Sequence, residues 1–228
     1  MLNTQLILIE GLPGAGKTTT ATYLGNLLQD RGLACRWFLE GDKHHPIACL
    51  DYELRDLCQK MPPLWQAFTD QALSDQTLTL IESRLWQNTA LFMWMSEYST
   101  ADILHYHRLV WQVLTPLSPC LVVLEQENVA EALRRICTFR GADWTNRAIH
   151  MTSSYPWFQS RGLHDFEGWV WFFEEWQSVS GLLYQDWPFR KIRVVNAHEN
   201  WDRAYQQIHE FLQIESGIDL SFHEISAA

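Results

Sequence analysis

Leu6-Ile7-Leu8-Ile9-Glu10-Gly11-Leu12-Pro13-Gly14-Ala15-Gly16-Lys17-Thr18-Thr19 decides the reading of this chain. Leu6 to Ile9 is a continuous apolar run of strand length, the pattern of a strand covered on both faces. Gly11 to Thr18 then fits G-x-x-x-x-G-K-[ST] without a mismatch. Each residue type there has a physical task. The glycines admit backbone angles closed to other residues, so successive N–H groups can converge on one anion. Those groups open the helix that follows, whose dipole also favours negative charge. Lys17 would reach the β- and γ-phosphates as a point charge, and the Thr18 hydroxyl would ligate Mg²⁺. Gly11, Pro13, Gly14, Ala15, Gly16, Lys17, Thr18 and Thr19 form the expected nucleotide-binding set.

Outward from this loop, Ala21, Leu24, Leu27 and Leu28 recur at helical spacing, and Gly32 is placed to end that helix. Further strands are expected at Cys35 to Leu39, Thr77 to Ile81, Leu121 to Leu124 and Ile192 to Val195. Helical stretches separate them. Strand alternating with helix implies a mostly parallel sheet with crossover helices, an α/β fold. With 228 residues, 47% of them hydrophobic, the chain carries enough apolar mass for one domain with a real core. No boundary or linker divides 1–228. Residues 42–76 read as a substrate-cap segment and residues 134–187 as a lid. The stretch 144–187 within it holds six of the twelve tryptophans.

The stretch from Ile9 through Thr19 resembles the opening of P-loop small-molecule kinases, especially the thymidylate-kinase and deoxynucleoside-kinase group. That resemblance implies a three-layer P-loop NTPase fold with five parallel strands in the order 2-3-1-4-5. It also implies ATP and Mg²⁺ as cofactors and a small-molecule phosphoryl acceptor, nucleoside or nucleotide first.

In an open α/β sheet, ligands bind beyond the carboxyl ends of the strands, so acids there are the first candidates for chemistry. Glu40 and Asp42 follow the second strand, two residues apart, and point to one side of an extended backbone. Glu40 matches the position of the base in deoxynucleoside kinases, with Asp42 as its close substitute; a turn at Gly41-Asp42 is the plainer alternative. Glu82 closes the third strand and suits an outer-shell Mg²⁺ partner. Here Glu82-Ser83-Arg84 departs from the Glu-Arg-Ser order of that family. Asn128 and Glu131 read as a capping box opening a helix, with Glu125 as support for that junction.

Arg134, Arg135 and Arg140 concentrate positive charge in an acidic chain. Arg135 and Arg140 resemble lid arginines that close on a triphosphate, with Arg147 as a third. The alternative is a solvated helix end complementing the dipole. By resemblance, Asn196 and Ala197 border the adenine. The tryptophans after the strands line an aromatic pocket or fill the core of the cap. The helix around Trp169 to Phe173 is apolar nearly all round, so it is buried or faces a second subunit, which leaves a homodimer open. His44-His45 before Pro46 reads as a turn more than a ligand pair.

Seventeen Lys and Arg against 27 Asp and Glu give a net charge of −10, which argues against nucleic acid or an anionic membrane as partner. No run approaches a membrane span, and no targeting segment stands out, so the cytoplasm is the expected location. Cys35, Cys49, Cys58, Cys120 and Cys137 read as reduced thiols, without metal spacing. A non-catalytic nucleotide-binding module and an acceptor-independent NTPase are the competing functions; paired carboxylates after the second strand and a separate cap favour the kinase.

Overall fold

The computed structural model describes residues 3–47 and 57–214. Cys49 and part of the expected substrate-cap segment lie outside the described residues. Five strands build one sheet: β1 (Leu6–Gly11), β2 (Cys35–Phe38), β3 (Leu78–Glu82), β4 (Cys120–Glu125) and β5 (Lys191–Val195). All their pairings are parallel, in the order β2-β3-β1-β4-β5. The register sets Ile7 between Leu80 and Cys120, and Ile9 between Glu82 and Val122. β1 is thus the central strand, and the loop that leaves it emerges at the middle of the sheet. All five strands fall where the alternation of patterns predicts. β3 reaches one residue further than expected, so Glu82 is itself a strand residue.

The helices are α1 (Lys17–Asp30), α2 (Leu57–Asp75), α3 (Leu91–Met95), α4 (Thr100–Leu114), α5 (Val129–Arg140), α6 (Ala142–Thr152), α7 (Pro156–Gln159), α8 (Phe166–Asp186) and α9 (Trp201–Leu212). A π-helical segment, Leu85–Ala90, leads into α3. The period of two along β1 splits the core. Ile7 and Ile9 pack with Leu24 and Leu28 of α1 and Tyr205 and Ile208 of α9. Leu6 and Leu8 pack with Trp65 of α2, Val110 of α4 and Phe172 of α8. Both faces of the central strands β1, β3 and β4 are therefore buried, which is why β1 and β4 read as apolar runs, whereas the edge strands β2 and β5 are only partly covered.

Asn128 caps α5 by accepting the Glu131 N–H at 3.0 Å, one half of the expected capping box, while the Glu131 carboxylate pairs with Arg135. α8 buries Trp169, Val170, Phe172 and Phe173 and leaves Trp171 exposed. Trp157 stacks edge-on against Phe158 and Phe172 at about 5 Å, so this part of the tryptophan-rich stretch is core. No described helix is long and apolar enough to cross a membrane. Cys35, Cys58, Cys120 and Cys137 are free thiols.

Candidate active site at the carboxyl end of the sheet

Gly11 ends β1 with φ +155°, and a Cβ there would overlap the Leu124 carbonyl of the neighbouring strand. Only a glycine lets the chain turn out of the sheet at that point. Gly16 occupies the N-cap of α1 in the left-handed region, and no side chain caps the helix. The first N–H groups of a helix have no partner within it, so this end is free to receive an anion. Lys17 is buried and donates from Nζ to the Leu12 carbonyl at 2.9 Å, spanning the loop. Burial pushes its pKa down, while Glu82, Glu40 and Glu10 act in the opposite direction.

Glu82 joins three parts of the site. Its Oε1 accepts the Thr18 hydroxyl at 3.0 Å and the Ser83 hydroxyl at 3.1 Å. Its Oε2 accepts the Glu40 N–H at 2.9 Å. Arg84, the displaced arginine of this segment, donates from Nη2 to the Glu40 carbonyl, so it fixes the backbone of Glu40. The Glu40 carboxylate meets Gln87 Nε2 at 3.5 Å. Burial raises its pKa; Lys17 acts against this, and so do Arg84 and Arg140. The structure therefore brings together Lys17, Thr18, Glu40 and Glu82, with Arg140 on α5 close enough to be felt by Glu40.

The other expected residues have different surroundings. Asp42 is exposed, and its Oδ2 accepts the Leu39 N–H at 2.7 Å, closing the turn after β2. Arg135 donates to Gln126 Oε1 at 2.6 Å and pairs with Glu131 at 3.3 Å. Arg147 is exposed. The Arg140 guanidinium lies 5.9 Å from the Trp144 ring centre. Asn196 sits in the left-handed region and bonds Glu127 through both ends of its amide, at 3.1 and 2.9 Å. Ala197 is buried against α9 and α1. Glu125 pairs with Arg193 at 2.7 Å. His44 is exposed, and His45 is buried with Nδ1 accepting the Ile47 N–H at 2.9 Å, a turn contact.

Two features escaped the sequence reading. Glu10 is buried, and its carboxylate accepts the N–H groups of Leu85, Trp86 and Gln87 at 2.8 to 3.3 Å. It caps the segment after β3 and holds it to β1. Beside it lies a cavity of about 90 Å³ bounded by Leu12, Trp86, Gln87, Gln126, Trp176 and Tyr184. Of the tryptophans expected around a pocket, Trp86 and Trp176 line it; Trp157 and Trp169 pack in the core. An acid inside an otherwise apolar strand, immediately before the first glycine, was the available signal for Glu10.

Among the described residues no group of three or more His, Cys, Asp or Glu is placed to hold a metal by itself. Thr18 and Glu82 fit a different kind of site: one hydroxyl and one carboxylate beside a phosphate cradle, where Mg²⁺ takes its other ligands from phosphate and water.

No family model and no curated protein matches the sequence. Among solved structures, the thymidylate kinase of Candida albicans superposes with a TM-score of 0.51 at 16% identity, over 92% of each chain. The thymidylate kinase of Ehrlichia chaffeensis superposes with the same TM-score of 0.51 at 11% identity, over 92% of this chain and 98% of the other. The chain thus has the P-loop NTPase fold of the thymidylate-kinase group and resembles that group over nearly its whole length.

Proposed function

We propose that this chain is an ATP- and Mg²⁺-dependent phosphotransferase that moves the γ-phosphoryl group to a hydroxyl or phosphate on a small molecule, with a nucleoside or nucleotide as the leading acceptor. The observation that carries this reading is the double use of Glu82. One oxygen holds the Thr18 hydroxyl and the other holds the backbone of Glu40. The candidate metal ligand and the candidate base are thereby registered on one carboxylate. An NTPase without an acceptor has no need of a second acid held in this way.

Phosphoryl transfer asks the protein mainly for positioning and for charge placed where it develops. Lys17 leaves the Leu12 carbonyl and takes the β- and γ-phosphates. Thr18, with Glu82 behind it, would hold Mg²⁺, which would supply charge neutralisation to the phosphates. Glu40 orients the acceptor hydroxyl and receives its proton. Burial raises the affinity of its carboxylate for that proton, which favours its acting as a base. Arg140 meets the charge developing on the transferred group. The acceptor occupies the aromatic cavity beside Glu10 and Gln87, whose amide reaches Glu40.

The test is ADP release by the purified chain with Mg-ATP, scanned over nucleosides, nucleotides, sugars and antibiotics, with calorimetry of Mg-ATP binding in parallel. ADP formed only when an acceptor is present upholds the phosphotransferase. ADP formed equally without acceptor makes it an NTPase, and tight binding without ADP makes it a binding module.

A further inference from the structure

The chain between β3 and α3 is held at several independent points. Ser83 donates its N–H to the Ile9 carbonyl at 3.0 Å, carrying the contact with β1 one residue beyond β3. Ser83 itself has φ +62°, in the left-handed region that residues other than glycine enter when their surroundings hold them there. Its carbonyl receives Asn88 Nδ2 at 2.8 Å, which closes the turn. The N–H groups that open the π-helical segment then meet one acid. Glu10 Oε1 accepts those of Leu85 and Trp86 at 2.8 and 3.0 Å, and Oε2 accepts that of Gln87 at 3.3 Å. A short polar side chain at the start of the segment is the ordinary partner for such groups. Here the partner is a carboxylate from a different strand, 1% exposed, and a buried acid is costly unless hydrogen bonds answer it.

Two side chains of the segment so held reach residue 40. Arg84 Nη2 donates to the Glu40 carbonyl, and Gln87 Nε2 approaches the Glu40 carboxylate at 3.5 Å. Glu82, at the end of β3, receives the Glu40 N–H at 2.9 Å. The N–H, the carbonyl and the carboxylate of Glu40 thus each meet one of Glu82, Arg84 and Gln87. Glu10 stands one step behind: it fixes the main chain from which Arg84 and Gln87 project.

We propose that Glu10 is a positioning residue for Glu40, which by taking the N–H groups of Leu85, Trp86 and Gln87 sets Arg84 against the Glu40 main chain and Gln87 against its carboxylate. The assignment rests on the reading of Glu40 as the base, but one arm of its test needs no turnover.

Glu10→Gln keeps the size of the side chain and leaves one acceptor oxygen in place of two. With that oxygen on Leu85 and Trp86, the new amide nitrogen faces the Gln87 N–H, donor against donor. At pH 8, with Mg-ATP and the panel acceptor that releases ADP fastest, kcat should fall about tenfold while KM for Mg-ATP stays within about twofold. In a Glu40→Gln background the same change should cost less than about threefold, because the base it positions is gone. An equal loss in both backgrounds makes Glu10 purely structural and overturns the proposal, as does an unchanged kcat. Gln87→Leu covers the case in which Glu10→Gln does not fold, since the Glu10 contacts use main-chain atoms of residue 87. It should lower kcat only while Glu40 is present; an equal loss without Glu40 overturns the proposal as well. The second arm is NMR of the Gln87 side-chain amide without nucleotide. Glu10→Gln should move that signal toward the position of an exposed glutamine while the α9 amides stay in place, which shows that the variant is folded. A Gln87 signal that does not move overturns the proposal. Absence of ADP with every acceptor removes the phosphotransferase instead, and the NMR arm still decides whether Glu10 positions Gln87.

Discussion

Glu10 Oε1 accepts the Leu85 N–H at 2.8 Å, tying the strand that feeds the phosphate loop to the segment that carries Gln87. The phosphate-loop strand and the segment after β3 are therefore joined through one buried carboxylate. Burial is the largest influence on it and pushes its pKa up to about 7, against the three N–H donors and Lys17. The folded chain thus holds a proton there that the unfolded chain releases near pH 4.5. Stability from this group is fully present below about pH 4.5 and is lost as pH rises through 7. The difference in unfolding free energy between wild type and Glu10→Gln should fall by about 3 kcal/mol across that window. Urea unfolding at pH 4.5, 6 and 8 measures it; a difference independent of pH would show that Glu10 stays ionised.

His107 should run the opposite way. It is buried on α4, with Nε2 accepting the Trp86 indole N–H at 3.2 Å and Nδ1 3.5 Å from Asp186. An imidazole that accepts at Nε2 is neutral and carries its proton on Nδ1. Burial lowers its pKa to about 4, although Asp186 acts to raise it. The unfolded chain takes up a proton below about pH 6.5, so stability is present above that pH and is lost as pH falls toward 4. Imidazole NMR shifts should keep His107 neutral at pH 5. Protonation of His107 at that pH would place a charge where Trp86 needs an acceptor.

Replacing Glu40 by Gln keeps the backbone contacts to Glu82 and Arg84, because both use main-chain atoms of residue 40. Mg-ATP affinity should stay within about threefold, while transfer slows by roughly 10²–10⁴-fold, the usual worth of a general base. Asp42→Asn should change transfer little, since the Asp42 carboxylate serves the turn at Leu39. Steady-state ADP release with the best acceptor from the panel checks both. Equal losses in the two variants would return the base to an open choice.

Lys17→Ala should abolish detectable turnover and Mg-ATP binding by calorimetry. The ammonium is buried among Glu82, Glu40 and Glu10, and its removal leaves those acids without their common counter-charge. The same variant should therefore also lose stability, by about 2–4 kcal/mol at pH 8, with part of the loss recovered at pH 5 as Glu10, whose pKa burial raises, takes up a proton. Turnover at the wild-type rate would separate the phosphate loop from the chemistry.

The sheet was legible because its central strands are covered on both faces and its first helix is amphipathic, so local pattern and final burial agree at β1 and α1. The phosphate loop was legible because glycine and lysine spacing is itself the structure there. What lay beyond reach was pairing across the fold. Arg135 reads as a phosphate ligand along the helix, but α5 leaves it over Gln126, a residue brought near by the end of β4. Asn196 reads as an adenine edge, while its amide is engaged by Glu127 across the sheet. Glu10 looks like a strand that simply ends in an acid, until the π-helical segment after β3 presents three N–H groups to it. Convergence of side chains from separate loops has no periodicity to read.

Gly16 and Trp201 give the sharpest test of how closely α9 bears on the phosphate loop. A Cβ on Gly16 would overlap the Trp201 ring, and the residue sits at φ +92°, where side chains are disfavoured. Trp201 cannot retreat freely, since it stacks on Tyr205 at 5.5 Å, which stacks on Tyr23 at 4.0 Å. Gly16→Ala should cost about 2–4 kcal/mol, combining backbone strain with overpacking. Adding Trp201→Leu removes the overlap but not the strain, so the double variant should recover part of the cost attributed to Gly16→Ala, measured as a double-mutant cycle in urea. Strict additivity of the two changes would mean that the ring does not touch the loop.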